Sequence, residues 1–421
     1  MQNQLLEKKH DKIGTILQLS KYGNIELSYR NKEAEEAILN PIEVLFYDVN
    51  DAQTNINIDT NALVYSDNCY ALYNLIKNNI KVDLIYIDPP YCTGEKFISR
   101  NLEQAYNDDL SLEEYIDFMR KRLILLKEVL SDNGSIYVHI GHQMVAYIKI
   151  LMDEIFGINN FKNIITRKKC SSKNYTKNQY ANLNDFVLFY TKTKKYTWNK
   201  PGIIPNDEWI QKEYPKVDKN GRYKLVPIHA PGIRNGETGK KWRNMLPPPG
   251  KHWQYTPEKL EEMDKKGEIH WSCNGNPRRK VYFDNNKLLS ITDYWDNYRD
   301  AYHQSIKITG YPTEKNLDML KMIIAASSNP GDTVLDAFCG SGTTLQAADE
   351  LDRKWIGIDQ SPIALKTCLK RLNYGLSAMG DYVKPTKCFP KSGKCKHKYN
   401  IYIEESKCIN YKKIIDSVES N

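Results

Sequence analysis

The 421-residue sequence predicts an α/β fold in which a doubly wound, mostly parallel sheet carries helices on both faces. Short apolar runs alternate with amphipathic helical runs over 61–160, and the same alternation returns over 311–375. Several apolar runs end in an acidic residue or a glycine-rich turn, as strands do at a binding site. Because consecutive parallel strands need a crossover helix, this alternation favours a mostly parallel sheet.

The predicted elements follow one another in a regular order. Ser111 and Glu114 form a capping box at the start of one helix, and Ser361 followed by Pro362 starts another. In the first segment we expect a strand at 61–66, a helix with Leu72, Leu75, Ile76 and Ile80 on one face, strands at 82–87 and 134–140, a helix after Ser111 and a helix at 143–156. In the second segment we expect a helix capped by Thr313 and ending at 327, a strand at 332–338, a helix at 342–352, a strand at 354–359 and a helix at 361–373.

Three stretches flank or interrupt this pattern. Residues 1–60 are polar and weakly patterned, which indicates an N-terminal arm, and 376–421 form a basic C-terminal tail. Residues 161–310 break the alternation and hold six of the seven tryptophans. Specificity usually resides in such an irregular block, so we interpret 161–310 as a recognition region inserted between two parts of a catalytic domain, 61–160 and 311–375.

The net charge of +8 is unevenly spread, since 161–200 holds ten Lys or Arg residues against the single acid Asp185. Basic side chains attract phosphates and aromatic rings stack on bases, so this segment has the character of a nucleic-acid surface. The alternative is a solvated lysine-rich face over an ordinary core. The interleaved aromatic residues are Phe161, Tyr175, Tyr180, Phe186, Phe189, Tyr190, Tyr196 and Trp198.

Several protein classes are disfavoured by the composition. The N-terminus has no apolar leader and no long apolar run occurs, which predicts a cytoplasmic protein without a membrane partner. Nine scattered cysteines predict reduced thiols, and the absence of a G-x-x-x-x-G-K-[ST] loop predicts no ATP hydrolysis. No metal is expected, because a paired C-x-x-C spacing is missing from the one candidate zinc set, Cys388, Cys395, His397 and Cys408.

The strand at 82–87 ends in Asp88-Pro89-Pro90-Tyr91, which predicts a pocket for a flat base with an exocyclic amine. The Asp88 side chain and the Pro89 carbonyl can accept both N–H groups of that amine and favour a pyramidal, nucleophilic nitrogen. The two prolines hold the carbonyl in place, and stacking on Tyr91 is worth roughly 1–3 kcal/mol. A duplex base must be flipped out to reach such a pocket. The alternative is a simple turn with a buried tyrosine.

A second motif, at 332–360, predicts a site for a cofactor that contains a ribose. Gly340 and Gly342 allow the backbone to approach a ligand, and Asp359 ends the next strand, where an acid commonly binds ribose hydroxyls. A nicotinamide dehydrogenase is the natural competitor for this pattern. Leu345 stands in place of the third glycine that such an enzyme would carry.

These motifs and their order resemble the β-class S-adenosylmethionine-dependent DNA amino-methyltransferases, which include type III modification subunits and stand-alone adenine methylases. The resemblance covers about 61–373 and extends to the segments 310–315, 327–332 and 355–359 and to the prolines at 247–249. It implies a seven-stranded-type methyltransferase sheet with a circularly permuted motif order and an inserted target-recognition region.

The resemblance also implies a role for each matching residue. Asp88, Pro89, Pro90 and Tyr91 would form the target-base pocket. The turn with Asp336, Phe338, Gly340, Gly342 and Thr343 would hold the methionine part of the cofactor, and Asp359 its ribose. Asp67 and Asn68 would meet the cofactor's adenine, and Thr313 and Lys315 would close over its carboxylate end. For Thr313 and Lys315 the alternative is a helix cap and a surface lysine.

The function implied is methyl transfer from S-adenosylmethionine to N6 of a flipped adenine in double-stranded DNA. Asp88 favours adenine, since serine is commoner there in the N4-cytosine subgroup; N4-cytosine methylation, an RNA substrate and a catalytically silent nucleic-acid-binding module remain alternatives. The resemblance also admits a homodimer and a separate restriction subunit as partners. His139 needs no role, because a histidine at a strand end is more often structural. Base-reading candidates, which could equally hold phosphates or salt bridges, are Arg234, Arg243, Arg278 and Arg279.

Overall fold

The computed structural model describes residues 26–50, 52–91, 96–98, 104–107, 110–170, 178–299, 314–375 and 394–419. The chain divides into two compact units. The larger one contains the described residues up to Lys200 and from Thr292 onward, and the smaller one is Pro201–Ile291. Among the described residues, no helix combines the length and apolar character needed to cross a bilayer.

Both units contain β-strands. In chain order they are β1 (Phe46–Tyr47), β2 (Gln53–Thr54), β3 (Asn61–Tyr65), β4 (Val82–Ile87), β5 (Lys96–Ile98), β6 (Gln104–Asn107), β7 (Leu130–Ile140), β8 (Phe161–Lys168), β9 (Asn184–Thr191), β10 (Gly202–Ile203), β11 (Lys216–Asp218), β12 (Gly221–Pro227), β13 (His229–Pro231), β14 (Lys251–Trp253), β15 (Ile269–Trp271), β16 (Pro277–Tyr282), β17 (Leu289–Ser290), β18 (Tyr294–Trp295), β19 (Thr333–Asp336), β20 (Lys354–Asp359) and β21 (Tyr399–Glu404).

The helices are fewer and mostly lie between strands of the central sheet. In the described residues they are α1 (Glu35–Ile38), α2 (Asn68–Lys77), α3 (Leu112–Val129), α4 (Val145–Phe156), α5 (Asp207–Glu213), α6 (Pro257–Lys265), α7 (Leu317–Ser327), α8 (Thr343–Glu350), α9 (Pro362–Tyr374) and α10 (Cys408–Glu419), with short 3-10 turns at Ile158–Asn160, Glu237–Gly239 and Glu405–Lys407.

A single sheet organises the larger unit. Within the described residues it has eleven strands in the order β18-β8-β9-β7-β4-β19-β20-β3-β21-β1-β2. In the central part of this order, β7-β4-β19-β20-β3-β21, every pairing is parallel. At the two sides, β9 and β8 and then β1 and β2 are added by antiparallel pairings. The predicted mostly parallel α/β fold is therefore confirmed, with more strands than the seven-stranded type.

Both faces of the parallel strands are buried, which is the property that defines a doubly wound sheet. Ile85 and Leu335 belong to the apolar core on one face, together with side chains from α2, α3 and α4. Their neighbours Leu84 and Val334 are also fully buried and point to the opposite face. Gly357 leaves room there, because a Cβ at this position would lie 2.5 Å from Leu345 of α8.

The smaller unit has its own sheet and core. Strands β11, β12, β16 and β15 form a four-stranded antiparallel sheet, and β10–β17 and β13–β14 form two short ribbons. Its core is a cluster of Ile228, Trp242, Trp253, Leu260, Met263 and Ile269. A separate core of this kind marks an independent compact body.

The predicted insertion, 161–310, includes residues on both sides of the smaller unit, Pro201–Ile291. Strands β8 and β9, within 161–200, belong to the central sheet, and β18 pairs with β8. The aromatic residues there serve mainly the sheet: Phe189 and Tyr190 are buried, and Phe189 stacks on Tyr137 with ring centroids 4.3 Å apart. Tyr180, in contrast, is 98% exposed, and Tyr175 lies outside the described residues. The alternative of an ordinary core thus applies to much of this segment.

The two predicted terminal segments also contribute to the fold. In the described part of the N-terminal arm, Ile38, Phe46 and Ile56 are buried in the core. In the described part of the tail, β21 pairs in parallel with β3, so it is a strand of the sheet rather than a solvated tail. Sequence patterning missed β21 because Tyr, Asn and Glu dilute its apolar character.

Candidate active site

Four neighbouring strands end at one cavity. The carboxyl ends of β4, β19, β20 and β3 lie side by side in the sheet, as parallel strands require. A cavity of about 600 Å³ opens at this edge. Its lining combines both predicted motifs: Asn68, Asp88, Pro89, Pro90, Tyr91, Lys315, Asp336, Phe338, Gly340, Thr343 and Asp359.

The carboxylate of Asp88 is held by two donors. The Tyr91 hydroxyl donates to Oδ1 at 2.8 Å, and the Lys315 ammonium lies 2.9 Å from Oδ2. Burial and the adjacent Asp88 raise the pKa of Tyr91 well above its ordinary value, so its hydroxyl keeps the proton that it donates. The Tyr115 hydroxyl of α3 donates to the Pro90 carbonyl and thereby holds the turn formed by residues 88–91. The result is a fixed acceptor facing the cavity.

The Tyr91 ring is positioned by a close backbone approach. A Cβ at Gly141 would lie 3.0 Å from Tyr91 Cδ2, so only glycine leaves the ring in place without a shift. The His139 ring lies 6.3 Å from the Tyr91 ring, and the Lys315 ammonium lies 5.3 Å from the centre of the same Tyr91 ring. The aromatic face needed for stacking is therefore ordered.

A buried network of polar side chains lies next to the turn that contains Tyr91. The Tyr86 hydroxyl bonds His139 Nδ1 at 2.7 Å, His139 Nε2 lies 3.1 Å from Asp185, and Arg167 binds Asp185 through two donors at 2.7 and 2.8 Å. Burial lowers the pKa of His139. Burial alone would raise the pKa of Asp185, but His139 and Arg167 bring it well below its ordinary value. His139 thus links Tyr86 and Asp185 in the core, which agrees with the structural role expected for it.

The glycine turn after β19 has the conformation expected of a ligand cradle. Gly340 and Gly342 have φ of 48° and 76°, values that other residues adopt at a cost. A Cβ at Gly342 would lie 2.8 Å from the Cys368 sulfur. The Cys368 contact and burial raise the pKa of Cys339 well above its ordinary value, so a nucleophilic thiolate is disfavoured there.

Two acids order this turn. Asp336 accepts from the Phe338 N–H at 3.0 Å and from the Thr344 hydroxyl, and burial raises its pKa to about 7. Asp359 accepts from the N–H groups of Gly340 and Ser361 at 2.9 and 2.8 Å, and burial raises its pKa as well. Each Asp359 oxygen has a second lone pair, so the carboxylate can still accept hydroxyl donors from the cavity.

The predicted pair Asp67 and Asn68 is divided by the structure. Asn68 lines the cavity and donates to the Ala337 carbonyl at 2.8 Å. Asp67 does not line it: its carboxylate caps α2 at the Cys69 N–H and lies 3.2 Å from Arg122. Of this pair, the cavity therefore exposes Asn68, and not Asp67, to a ligand.

Three residues of the site were missed by sequence reasoning. Phe118 and Arg122 line the cavity, and the Arg122 guanidinium lies 3.5 Å from the centre of the Phe118 ring. Arg371 is buried and donates to the Ser341 carbonyl and the Thr343 hydroxyl at 2.7 and 2.8 Å. They belong to helices that pass the site, so only the tertiary fold identifies them; no local signal could have done so.

The other predicted residues lie as follows. Thr313 is outside the described residues. Helix α7 is capped by Asn316, whose Oδ1 accepts from the Met319 N–H at 3.0 Å, so the predicted start of that helix was wrong.

The candidate zinc set does not form a metal site in the described residues, where no cluster suited to a metal occurs. Cys395 and His397 bond Asp349, and Cys388 is not described. Asp349 fixes the C-terminal segment to α8.

Comparison with known proteins gives a consistent assignment. The family model N6_N4_Mtase, a DNA methylase family, matches residues 82–370. The chain is 54% identical over 394 residues to Type II methyltransferase M.EcaI from Enterobacter cloacae, covering 90% of this chain and 87% of that protein. It is 28% identical over 333 residues to the Type III restriction-modification enzyme StyLTI Mod subunit from Salmonella typhimurium, covering 70% of this chain and 50% of that protein.

A further relative is named for its target base. DNA adenine methyltransferase YhdJ from Escherichia coli is 28% identical over 293 residues, covering 69% of this chain and 76% of that protein. The family model covers well over half of the chain, and the cavity unites the two motifs on which the resemblance was based. The chain therefore belongs to the N6/N4 DNA methylase family and is a DNA methyltransferase.

Proposed function

We propose that this enzyme methylates N6 of adenine in double-stranded DNA, with S-adenosylmethionine as methyl donor, as the modification component of a restriction-modification system. The observation that carries the proposal is the Asp88 carboxylate, held at the end of β4 in the cavity that also contains the glycine turn. The name of YhdJ supports adenine as the target base, and the name of the StyLTI Mod subunit supports the restriction-modification setting.

The residues around the glycine turn fit the donor. Gly340 and Gly342 expose the start of α8, and the helix N-terminus suits the carboxylate of the methionine part. Asp359 has acceptor capacity for ribose hydroxyls, and Asn68 and Phe338 line the same cavity. When bound, S-adenosylmethionine supplies an electrophilic methyl group on a sulfonium, so no covalent enzyme intermediate is required.

The protein's task is to make the amine nucleophilic and to hold it in line. The Asp88 carboxylate can accept a hydrogen bond from the N6–H group, because Tyr91 and Lys315 leave lone pairs on its oxygens available. The Pro89 carbonyl is the second acceptor in this proposal. N6 must lose one proton when it gains the methyl group, and Asp88 is the acceptor beside that proton. Positioning and preorganised hydrogen bonding supply the catalysis.

Base pairs that stay in the duplex cannot enter a pocket for a flipped base, so their recognition requires other surfaces. The sequence predicts a recognition region at 161–310, and we propose that its compact part, Pro201–Ile291, carries target recognition. Of the candidate readers, Arg234 and Arg278 are exposed, whereas Arg243 binds Glu261 and Asp264 at 2.7 Å each. A homodimer and a separate restriction subunit are the further partners that the resemblance admits.

The base is tested directly by the product. Purified enzyme is incubated with S-adenosylmethionine and either duplex DNA or duplex RNA, and the digested nucleosides are analysed by mass spectrometry. We expect N6-methyladenine in the DNA sample alone. N4-methylcytosine, or methylation of RNA in preference to DNA, would contradict the proposal.

A further inference from the structure

The Lys315 ammonium contacts two residues of the predicted target-base pocket, Asp88 and Tyr91. It is 2.9 Å from Asp88 Oδ2 and 5.3 Å from the centre of the Tyr91 ring, and the Lys315 side chain is only 9% exposed. A charge-assisted hydrogen bond and a cation–π contact therefore act on the same ammonium. The resemblance alone assigned this lysine to the cofactor's carboxylate end.

The segment that carries Lys315 is anchored by its neighbour. Glu314 Oε1 lies 2.7 Å from Arg371, and the two side chains are 6% and 1% exposed. The same guanidinium donates to the Ser341 carbonyl and the Thr343 hydroxyl of the glycine turn. Glu314 is therefore connected to the glycine turn through Arg371, whereas Lys315 binds Asp88 directly.

This arrangement fixes the plane of the Asp88 carboxylate. Tyr91 donates to Oδ1 and Lys315 to Oδ2, so rotation of the carboxylate would break at least one of the two bonds. The acceptor lone pairs that remain then point in a constant direction. A base amine entering the pocket meets an acceptor that needs no reorganisation, which is the condition for effective hydrogen-bond catalysis.

We propose that Lys315 is a positioning residue of the target-base pocket that acts through Asp88, and that the Glu314–Arg371 pair holds it there. The inference rests on the proposed function, because it requires that Asp88 accepts the amine. It predicts that loss of Lys315 slows methyl transfer without weakening cofactor binding. A lysine that bound the cofactor's carboxylate would have the opposite signature.

The test uses Lys315→Met in the full chain, with Lys321→Met as the matched control. Lys321 lies on α7, pairs with Glu350 and is not among the residues that line the cavity. At saturating cofactor we expect kcat on DNA to fall roughly 10- to 100-fold in Lys315→Met, as for a misplaced acceptor, and to stay unchanged in Lys321→Met. Titration calorimetry should give an S-adenosylmethionine Kd within about twofold of wild type for both. Thermal unfolding verifies that each variant is folded.

A double-mutant cycle shows whether Lys315 acts through Asp88. In an Asp88→Asn background, adding Lys315→Met should change kcat by less than about twofold, because the carboxylate that it positions is gone. The inference would be overturned if the reductions in kcat of the two single variants multiplied fully in the double variant. It would also be overturned if Lys315→Met left kcat unchanged, or if it weakened cofactor binding and recovered the wild-type kcat at saturating cofactor. The ratios are measured on whichever base the wild type methylates, so a different product base contradicts only the proposed function.

Discussion

Single side chains determine the chemistry of this site because each one is held by named partners. Asp88 has a donor on each oxygen, Asp336 has two donors inside the core, and Asp359 accepts two backbone N–H groups. Such fixed geometry costs little reorganisation when a ligand binds. Substitutions at these positions should therefore affect binding or rate in distinguishable ways.

Gly342→Ala tests the close packing of the glycine turn. With φ of 76° and a Cβ only 2.8 Å from the Cys368 sulfur, alanine would be both strained and crowded. We expect a loss of roughly 1–3 kcal/mol in the free energy of unfolding and weaker binding of S-adenosylmethionine. Urea unfolding and calorimetry measure the two effects.

Gly331→Ala is the matched control for that substitution. Its φ is 88°, but nothing lies within 4 Å of the added Cβ. It should show the backbone strain without the crowding and leave cofactor affinity unchanged. Equal effects of both substitutions on cofactor affinity would argue against a cradle at Gly342.

Asp336→Asn tests the pH dependence of stability. Burial raises the pKa of Asp336 to about 7, so the folded protein holds this proton more tightly than the unfolded chain. The stabilisation is complete below the ordinary pKa of an aspartate and is lost as the pH rises through about 7. Compared with Asp336→Asn, the wild type should lose free energy of unfolding between about pH 4 and about pH 7. A difference between the two proteins that is constant across this range would contradict the assignment.

At the level of elements, the strand ends of the parallel sheet bring the two motifs together. The sequence predicted β3, β4, β19 and β20 because each is an apolar run followed by a polar turn. It did not predict β8 and β9 as part of this sheet, since a basic, aromatic run resembles a binding surface until its partners are known. The contact between Lys315 and Asp88 joins residues 227 positions apart (315 minus 88), and only the fold creates it.

Strand β21 also supports the site from an unexpected place. The buried Glu404 accepts from the Ser66 hydroxyl at 2.9 Å and from the Asp67 N–H at 3.1 Å, at the turn that leads to Asn68. Glu404→Ala should cost about 1–3 kcal/mol in the free energy of unfolding, because these two donors and the Ser406 hydroxyl lose their acceptor. The exposed neighbour Glu405→Ala should change it by less than about 0.5 kcal/mol. Urea unfolding of both variants would show equal values if β21 had no such role.

At the scale of the whole molecule, our proposals place catalysis and recognition in separate compact units. The cavity lies in the larger unit, and the proposed recognition residues lie in Pro201–Ile291. A chain of this kind can keep its chemistry while its recognition sequence changes, because the two depend on different residues.

Arg278→Ala and Arg243→Ala separate DNA contact from structure in the smaller unit. Arg278 is exposed on β16, so its loss should weaken DNA binding and reduce the salt dependence of affinity, with little effect on stability. Arg243 holds Glu261 and Asp264, so its loss should act mainly on stability. Fluorescence anisotropy at several salt concentrations and thermal unfolding measure these effects. The reverse pattern would show that Arg243 is the reader.

The most direct measurement of the central claim is single-turnover methylation of DNA by Asp88→Ala at saturating S-adenosylmethionine, with calorimetric titration of the cofactor on the same protein. Removal of the acceptor should slow formation of N6-methyladenine by about 100-fold or more while the cofactor Kd stays near that of wild type. Methylation at the wild-type rate by Asp88→Ala would contradict the account.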